Sequence, residues 1–304
     1  MGLNFSITKM SSILNAQRIA IGTAQFGMNY GIANQAGQVS LTEAANILET
    51  AAIAGLDTLD TAISYGDSET RLGQIGIDQW QTISKLQQLP ERPLNVSTWV
   101  RASVTGSLER LNVPSLGGLL LHHPSDLLGE RGKALYAAMV ELKTLGLVKK
   151  IGISIYQPDE LDTLLKHMYF DVVQAPFNIF DQRMLDSGWL ARLHNLGIEV
   201  HVRSVFMQGL LVMPAIHRSA KFQRWQPLWD RWESWLDIHQ LTRIEACLRF
   251  VMSFDEVRRV IVGVDTIDHF QEILTATSGD FPPRPVELRS TDLALLNPSN
   301  WYQL

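Results

Sequence analysis

Short runs of branched apolar residues alternate with longer stretches in which apolar positions recur every three or four residues, from Arg18 nearly to the C-terminus. RIAIG (Arg18 to Gly22) reads as a strand. Ser40 and Glu43 then have capping-box spacing, Ala44, Ile47, Leu48 and Ala51 form one helical face, and Gly55, free to take φ > 0, stops the helix. LDTLD (Leu56 to Asp60) predicts a second strand; after a short helix over Glu69 to Ile75, TISKL (Thr82 to Leu86) predicts a third. Val100, Val104, Leu108 and Leu111 share a helical face ahead of GGLLLHHP (Gly117 to Pro124). Leu135, Ala138, Met139 and Leu142 do the same ahead of VKKIGIS (Val148 to Ser154). Pro158 suits the first position of a helix carrying Leu161, Leu164, Leu165 and Met168. DVVQA (Asp171 to Ala175), IEVHVRS (Ile198 to Ser204) and RVIVGV (Arg259 to Val264) supply three more strands.

Strict alternation of strand and helix means a parallel sheet covered on both faces. Eight such units over this length fit a closed barrel better than an open doubly wound sheet, so the fold expected is α/β, a single-domain (β/α)8 TIM barrel. Residues 18–304 form the barrel in this reading, with 1–17 as an N-terminal extension or a segment capping its bottom. The stretch from Val205 to Gln240 is longer than a βα loop needs and holds Trp225, Trp229, Trp232 and Trp235. It either covers the barrel mouth or is an ordinary helix packing its aromatics.

Composition narrows the class. The chain has 304 residues, 46% of them hydrophobic, enough for one large core. A net charge of −5 with interspersed signs gives no pull toward nucleic acid or anionic membrane. One cysteine, Cys247, excludes an internal disulfide framework and fits a reducing compartment. No apolar run approaches the ~20 residues of a membrane span, and the N-terminus lacks the basic start and apolar centre of a signal peptide. Gly2 and Ser6 match a short myristoylation pattern, and Asn4 and Asn95 head sequons, all of them patterns that arise often by chance. The expectation is a cytoplasmic protein; oligomeric state is not legible.

In barrels of this kind chemistry gathers at the C-terminal strand ends. Those ends carry Asp60, Lys85, His122, Ser154, Gln174 and Arg203, with Tyr65 just past the second strand. Burying so many polar groups on one rim costs free energy unless they pair. Asp60 and Lys85 are either a plain ion pair between adjacent strands or part of a reactive site. Tyr65 either caps a loop or donates a proton. His122 and His123 raise a metal site, against which stands the alternation of consecutive residues along a strand.

LDTAISYGDSETRLG (Leu59 to Gly73), SLERLNV (Ser107 to Val113), LLLHHP (Leu119 to Pro124), GLVKKIGIS (Gly146 to Ser154) and ACLRFVMSFDEVRRVIVGV (Ala246 to Val264) resemble, in order, segments of the aldo-keto reductase family, from Gly22 to about Leu274. The resemblance implies a catalytic tetrad of Asp60, Tyr65, Lys85 and His122, no bound metal, and a nicotinamide cofactor, NADP(H) or NAD(H). A carbonyl accepting hydride develops negative charge on oxygen and needs a proton donor beside it. In that scheme Tyr65 donates, Lys85 stabilises the phenolate, Asp60 balances Lys85, and His122 orients the oxygen.

The resemblance also places Gly22, Thr23, Asp60, Ser154, Gln174, Arg203, Ser204, Gly209, Gly263, Thr266, His269 and Glu272 around the cofactor. Ser154 and Gln174 would meet the carboxamide, and Gly209 the diphosphate unless it is a plain turn glycine. The chain departs from the family in four places. Ile155 stands for the usual Asn, Arg203 for the aromatic that stacks on nicotinamide, and Gly263 and His269 for the basic residues that grip a 2′-phosphate. Arg203 either stacks, binds a substrate anion, or pairs with a neighbouring acid. Cofactor preference stays open, and Lys at Gly263 with Arg at His269 should raise NADPH affinity. The activity implied is hydride transfer to or from an aldehyde, ketone or aldose-like substrate. The alternative is a nicotinamide-nucleotide-binding barrel with a regulatory or partner-binding role and little turnover.

Overall fold

The computed structural model describes residues 16–91 and 95–304. Residues 1–15, with most of the expected N-terminal segment and the Gly2, Asn4 and Ser6 patterns, lie outside the described residues. Eight strands close into one barrel in chain order: β1 (Ile19–Gly22), β2 (Thr58–Asp60), β3 (Gln81–Leu86), β4 (Gly118–Leu121), β5 (Ile151–Ser154), β6 (Val172–Pro176), β7 (Glu199–Arg203) and β8 (Val257–Gly263). Every neighbouring pair is parallel, and β8 returns to β1. The principal helices are α1 (Leu41–Ile53), α2 (Ser68–Ile75), α3 (Val96–Leu111), α4 (Gly132–Thr144), α5 (Glu160–Leu164), α6 (Trp189–Asn195), α7 (Gln226–His239), α8 (Arg243–Met252) and α9 (Ile267–Ala276). The (β/α)8 barrel is the fold expected from the alternation.

Local chemistry moves some boundaries. β4 stops at Leu121 because Pro124, which has no N–H for a ladder, opens a 3-10 turn over Pro124–Leu128. β5 begins only at Ile151, Val148 keeping a single bridge to Leu116. Ser40 caps α1 by accepting from the N–H of Glu43, but the Glu43 carboxylate does not return to it; it accepts from the N–H of Ile267 at 2.8 Å. Pro158 is not the first residue of a helix: α5 starts at Glu160, whose carboxylate accepts from the N–H groups of Tyr156 and Gln157, and it ends before Leu165 and Met168. Asn95 caps α3 by accepting from the N–H of Thr98, a local reason for an asparagine there.

Side chains alternate along each strand. Ile19, Ile21, Leu59, Leu119, Leu121, Val173, Val200, Val202 and Val260 join the large core under the helices, and Ile83, Leu120 and Val172 form a separate small cluster inside the barrel. The remaining inward positions are largely polar. Near the base, Arg259 donates to Thr58 and pairs with Asp57, and Glu199 joins Lys150 to His201. Asp60, Lys85, Ser154 and Gln174 lie above, all at most 4% exposed.

The tryptophan-rich segment takes the plainer of its two expected forms. Trp229 and Trp232 are fully buried in α7 against Phe180, one tilted and one edge to face, with their indole N–H groups on the carbonyls of Phe222 and Leu211. Trp225 is buried against Phe222 and donates to Asp292. None of these rings is free to line an open mouth.

Candidate active site

Asp60 ends β2 and Lys85 lies on neighbouring β3. Lys85 Nζ donates to Asp60 Oδ1 at 2.5 Å and to the carbonyl of Thr61 at 2.9 Å. The second carboxylate oxygen accepts from Gln174 Nε2 at 2.7 Å, and Ser154 Oγ donates to Gln174 Oε1 at 3.1 Å. A buried ion pair is tolerable only when such bonds satisfy its remaining lone pairs and protons. Here both oxygens of Asp60 have partners. Burial pushes the Lys85 ammonium below its ordinary pKa, against the opposing pull of Asp60.

Tyr65 and His122 stand above this pair. Their ring centroids are 5.9 Å apart, edge to face, and Lys85 Nζ lies 5.1 Å from the centre of the Tyr65 ring. Lys85 thus sits beneath the ring while its recorded hydrogen bonds run to Asp60 and Thr61. Burial, reinforced by Asp60, raises the phenol above its usual pKa, and Arg203 is the cation that opposes the rise. Burial, with the charge of Lys85 behind it, holds the His122 imidazole down to about 3, so the ring is neutral at pH 7. Its Nδ1 lies 3.3 Å from Ser64 Oγ. His122 and His123 both follow the end of β4, so strand alternation does not separate them, and their centroids are 5.6 Å apart. Among the described residues no cluster of three or more His, Cys, Asp or Glu is arranged to hold a metal ion.

The loop that carries Tyr65 is held at both ends. On one side it rests on the helical turn Ala24–Gly27: a β-carbon on Gly66 (φ 56°) would lie 2.1 Å from the Gly27 carbonyl oxygen. On the other, Glu69 in α2 accepts from Ser84 on β3 and from Ser107 in α3, and takes two bonds from Arg110. Sequence reasoning missed Glu69 as an anchor. Its only signal was an acid at the start of a helix.

The expected cofactor residues meet several fates. Gly22 pairs with Asp60 and Gly263 at the rim. Thr23 is fully buried, its hydroxyl donating to the Asp60 carbonyl and accepting from Ser68. Ser154 and Gln174 are committed to Asp60, as above. Ile155 turns into the core beneath the helices, leaving its carbonyl to accept from Arg203 at 3.0 Å. Arg203 also reaches Ser204 Oγ at 3.3 Å and lies over the Tyr156 ring, 4.7 Å from its centre. Ser204, Met207, Gln208 and Gly209 all have positive φ, a concentration of strained backbone beside the mouth. This loop approaches the β1 loop, Ala33 donating to the Gln208 carbonyl, and a β-carbon on Gly209 would meet that of Ala33 at 2.3 Å.

At the start of α9, Thr266 caps by accepting from the N–H of His269, and Glu43 occupies the N–H of Ile267. His269 and Glu272 are exposed, and Asp265 lies within 3.5 Å of Asn34 Nδ2. The space above Gly263 is filled by the Gln25 amide, 2.2 Å from where a β-carbon would stand.

The chain is similar to known proteins. Residues 18–287 match the aldo/keto reductase family, to which the chain belongs. It is 29% identical over 287 residues to a D-threo-aldose 1-dehydrogenase from Pseudomonas sp., covering 80% of this chain and 87% of that one. It is 25% identical over 268 residues to the NADH-specific methylglyoxal reductase of Escherichia coli, covering 73% and 78%. The holo form of aldo-keto reductase AKR11C1 from Bacillus halodurans shares its fold, with a TM-score of 0.69 at 19% identity over 87% of this chain and 88% of that one. The protein is an NAD(P)-dependent oxidoreductase that moves hydride between a nicotinamide cofactor and a carbonyl or alcohol.

Proposed function

We propose that the protein reduces aldehydes or oxidises aldose-like alcohols at the cluster of Asp60, Tyr65, Lys85 and His122. The observation that carries this reading is the approach of Tyr65 to both the His122 ring and the Lys85 ammonium at one strand-end rim. The nicotinamide supplies or accepts the hydride. The chain's own residues do the rest. Tyr65 is the proton donor to the oxygen that becomes negative, and burial, which raises its pKa, keeps the phenol in its protonated form. Neutral His122 hydrogen-bonds the same oxygen and orients it. Lys85, fixed by Asp60, sets the field beneath the phenol.

The rim suits a dinucleotide in part. The strained backbone of Ser204–Gly209 is suited to a diphosphate. The start of α9 does not suit a 2′-phosphate. Gly263 brings no side chain, and Glu43 brings a carboxylate. NAD(H) is therefore the cofactor we favour, in keeping with the NADH-specific Escherichia coli relative. A small carbonyl or alcohol is the partner, with no nucleic acid or membrane surface involved. The single cysteine, buried at Cys247, supports a reducing cytoplasmic setting.

The test is oxidation of NADH by a panel of reactive aldehydes, run beside Tyr65→Phe. We expect turnover in the wild type and a ~10²–10⁴-fold loss in the variant at unchanged NADH affinity. A variant that keeps the wild-type rate overturns the role given to Tyr65.

A further inference from the structure

Arg203 ends β7, two residues beyond inward-facing His201 and alternating with Val200 and Val202, which face the helices. Its side chain accordingly belongs to the barrel mouth. The guanidinium lies over Tyr156 and is held by two uncharged acceptors, the Ile155 carbonyl and Ser204 Oγ. Of the five N–H donors of an arginine, these bonds use two. Among the described residues no carboxylate pairs with it. Other sheltered arginines are treated differently. Arg183 is matched by Asp181, Arg218 by Glu233, Arg249 by Glu245 and Arg259 by Asp57, while Arg18 is occupied by three backbone carbonyls.

The tetrad offers Arg203 no counter-charge. Asp60 is neutralised by Lys85, and His122 carries no charge. The place of Arg203 on the mouth follows from strand alternation and from its contacts with Tyr156, Ile155 and Ser204, and from there its charge acts on Tyr65, Lys85 and His122. A planar guanidinium held flat with free donors is matched to a carboxylate or phosphate.

We infer that Arg203 binds an anionic group of the carbonyl substrate, so that the enzyme prefers carbonyl acids, such as a semialdehyde bearing a carboxylate, to neutral aldehydes of the same size. The inference rests on the reductase reading of the site. The dinucleotide's diphosphate offers the same chemistry from a second source, and the strained backbone of Ser204–Gly209 is the place we give it.

Two measurements on the full chain separate these cases. The first is calorimetric binding, in the presence of NADH, of succinamate and succinamide, which differ in a carboxylate and cannot be reduced. Succinamate should bind at least about tenfold more tightly, as befits charge-assisted bonds. Arg203→Leu should abolish the difference, Arg203→Lys should restore part of it, and added salt should weaken it. The second is reduction of succinic semialdehyde against butanal. Arg203→Leu should raise KM for the acid about tenfold or more, and by a clearly larger factor than for butanal, with NADH affinity measured beside both. Equal binding of the two amides by wild type overturns the inference, whatever the turnover. A variant that weakens NADH and both aldehydes together also overturns it and assigns Arg203 to the cofactor. Selective succinamate binding without turnover of any aldehyde leaves the anion site standing and overturns the reductase reading instead.

Discussion

A β-carbon added to Gly27 would lie 1.8 Å from the carbonyl oxygen of Tyr65 and 2.5 Å from the backbone nitrogen of Ser68. The obstacles are backbone atoms, which cannot rotate away as a side-chain tip does. Gly27→Ala must therefore push the Tyr65 loop outward. Overpacking of this kind costs roughly 1–3 kcal/mol of stability. If Tyr65 is the donor we propose, a displacement near 1 Å there can cost about a hundredfold in rate. We expect kcat to fall far more than the melting temperature, with NADH affinity little changed. Steady-state kinetics beside thermal unfolding checks this, and a fully active Gly27→Ala protein would show that the contact does not position Tyr65.

His122 gives a pH signature. Its pKa falls from 6.5 to about 3 on folding, chiefly through burial. Between those values the unfolded chain binds a proton that the folded chain refuses, so His122 favours unfolding progressively as pH drops through that window. Its effect is absent above pH 6.5. Urea titrations from pH 7 to pH 4 should show a shallower loss of stability in His122→Asn than in wild type. Turnover should show no ionisation of His122 near neutrality.

Lys85 is paired with Asp60 and lies beneath Tyr65, and two variants separate a role in stability from the proposed role in chemistry. Lys85→Met alone strands the buried Asp60 carboxylate and should cost roughly 3–5 kcal/mol. Adding Asp60→Asn removes the stranded charge and should recover much of that stability. Activity should stay lost in both proteins. Recovery of turnover along with stability in the double variant would make the pair a structural tie between β2 and β3 and nothing more.

NADPH should not be preferred to NADH by as much as tenfold, about 1.4 kcal/mol. The expectation rests on Gly263, Asp265 and His269, and on the Glu43 carboxylate at the N–H of Ile267. Glu43→Gln should shift the ratio of dissociation constants toward NADPH, the more so at low salt. Lys at Gly263 is a less simple route than the sequence implies, because the Gln25 amide must first leave the space it would enter. Pairing Gly263→Lys with Gln25→Ala avoids the collision. A wild type that binds NADPH a hundredfold more tightly than NADH would contradict the assignment.

The barrel was legible because parallel strands are covered on both faces and so write themselves as apolar runs, with helical faces repeating between them. The rim residues were legible because polar groups at strand ends interrupt those runs. Contacts across the chain left no such trace. Glu43 had the spacing of a local capping box, yet its carboxylate reaches Ile267, 224 positions away. Gln174, expected at the cofactor carboxamide, also donates to Asp60, 114 positions earlier, a contact with no mark in the sequence. The four tryptophans announced burial without direction, since aromatic spacing does not tell which surface a helix will meet.

The clamp on Glu69 joins α2, α3 and β3 through one buried carboxylate, four residues beyond Tyr65. None of its partners comes from the loops after β4, β5 or β7. Tyr65 therefore stands on its own foundation. Changes in those other loops can alter which molecules enter while leaving Tyr65 where it is, so substrate range and reaction chemistry are free to evolve separately on this scaffold.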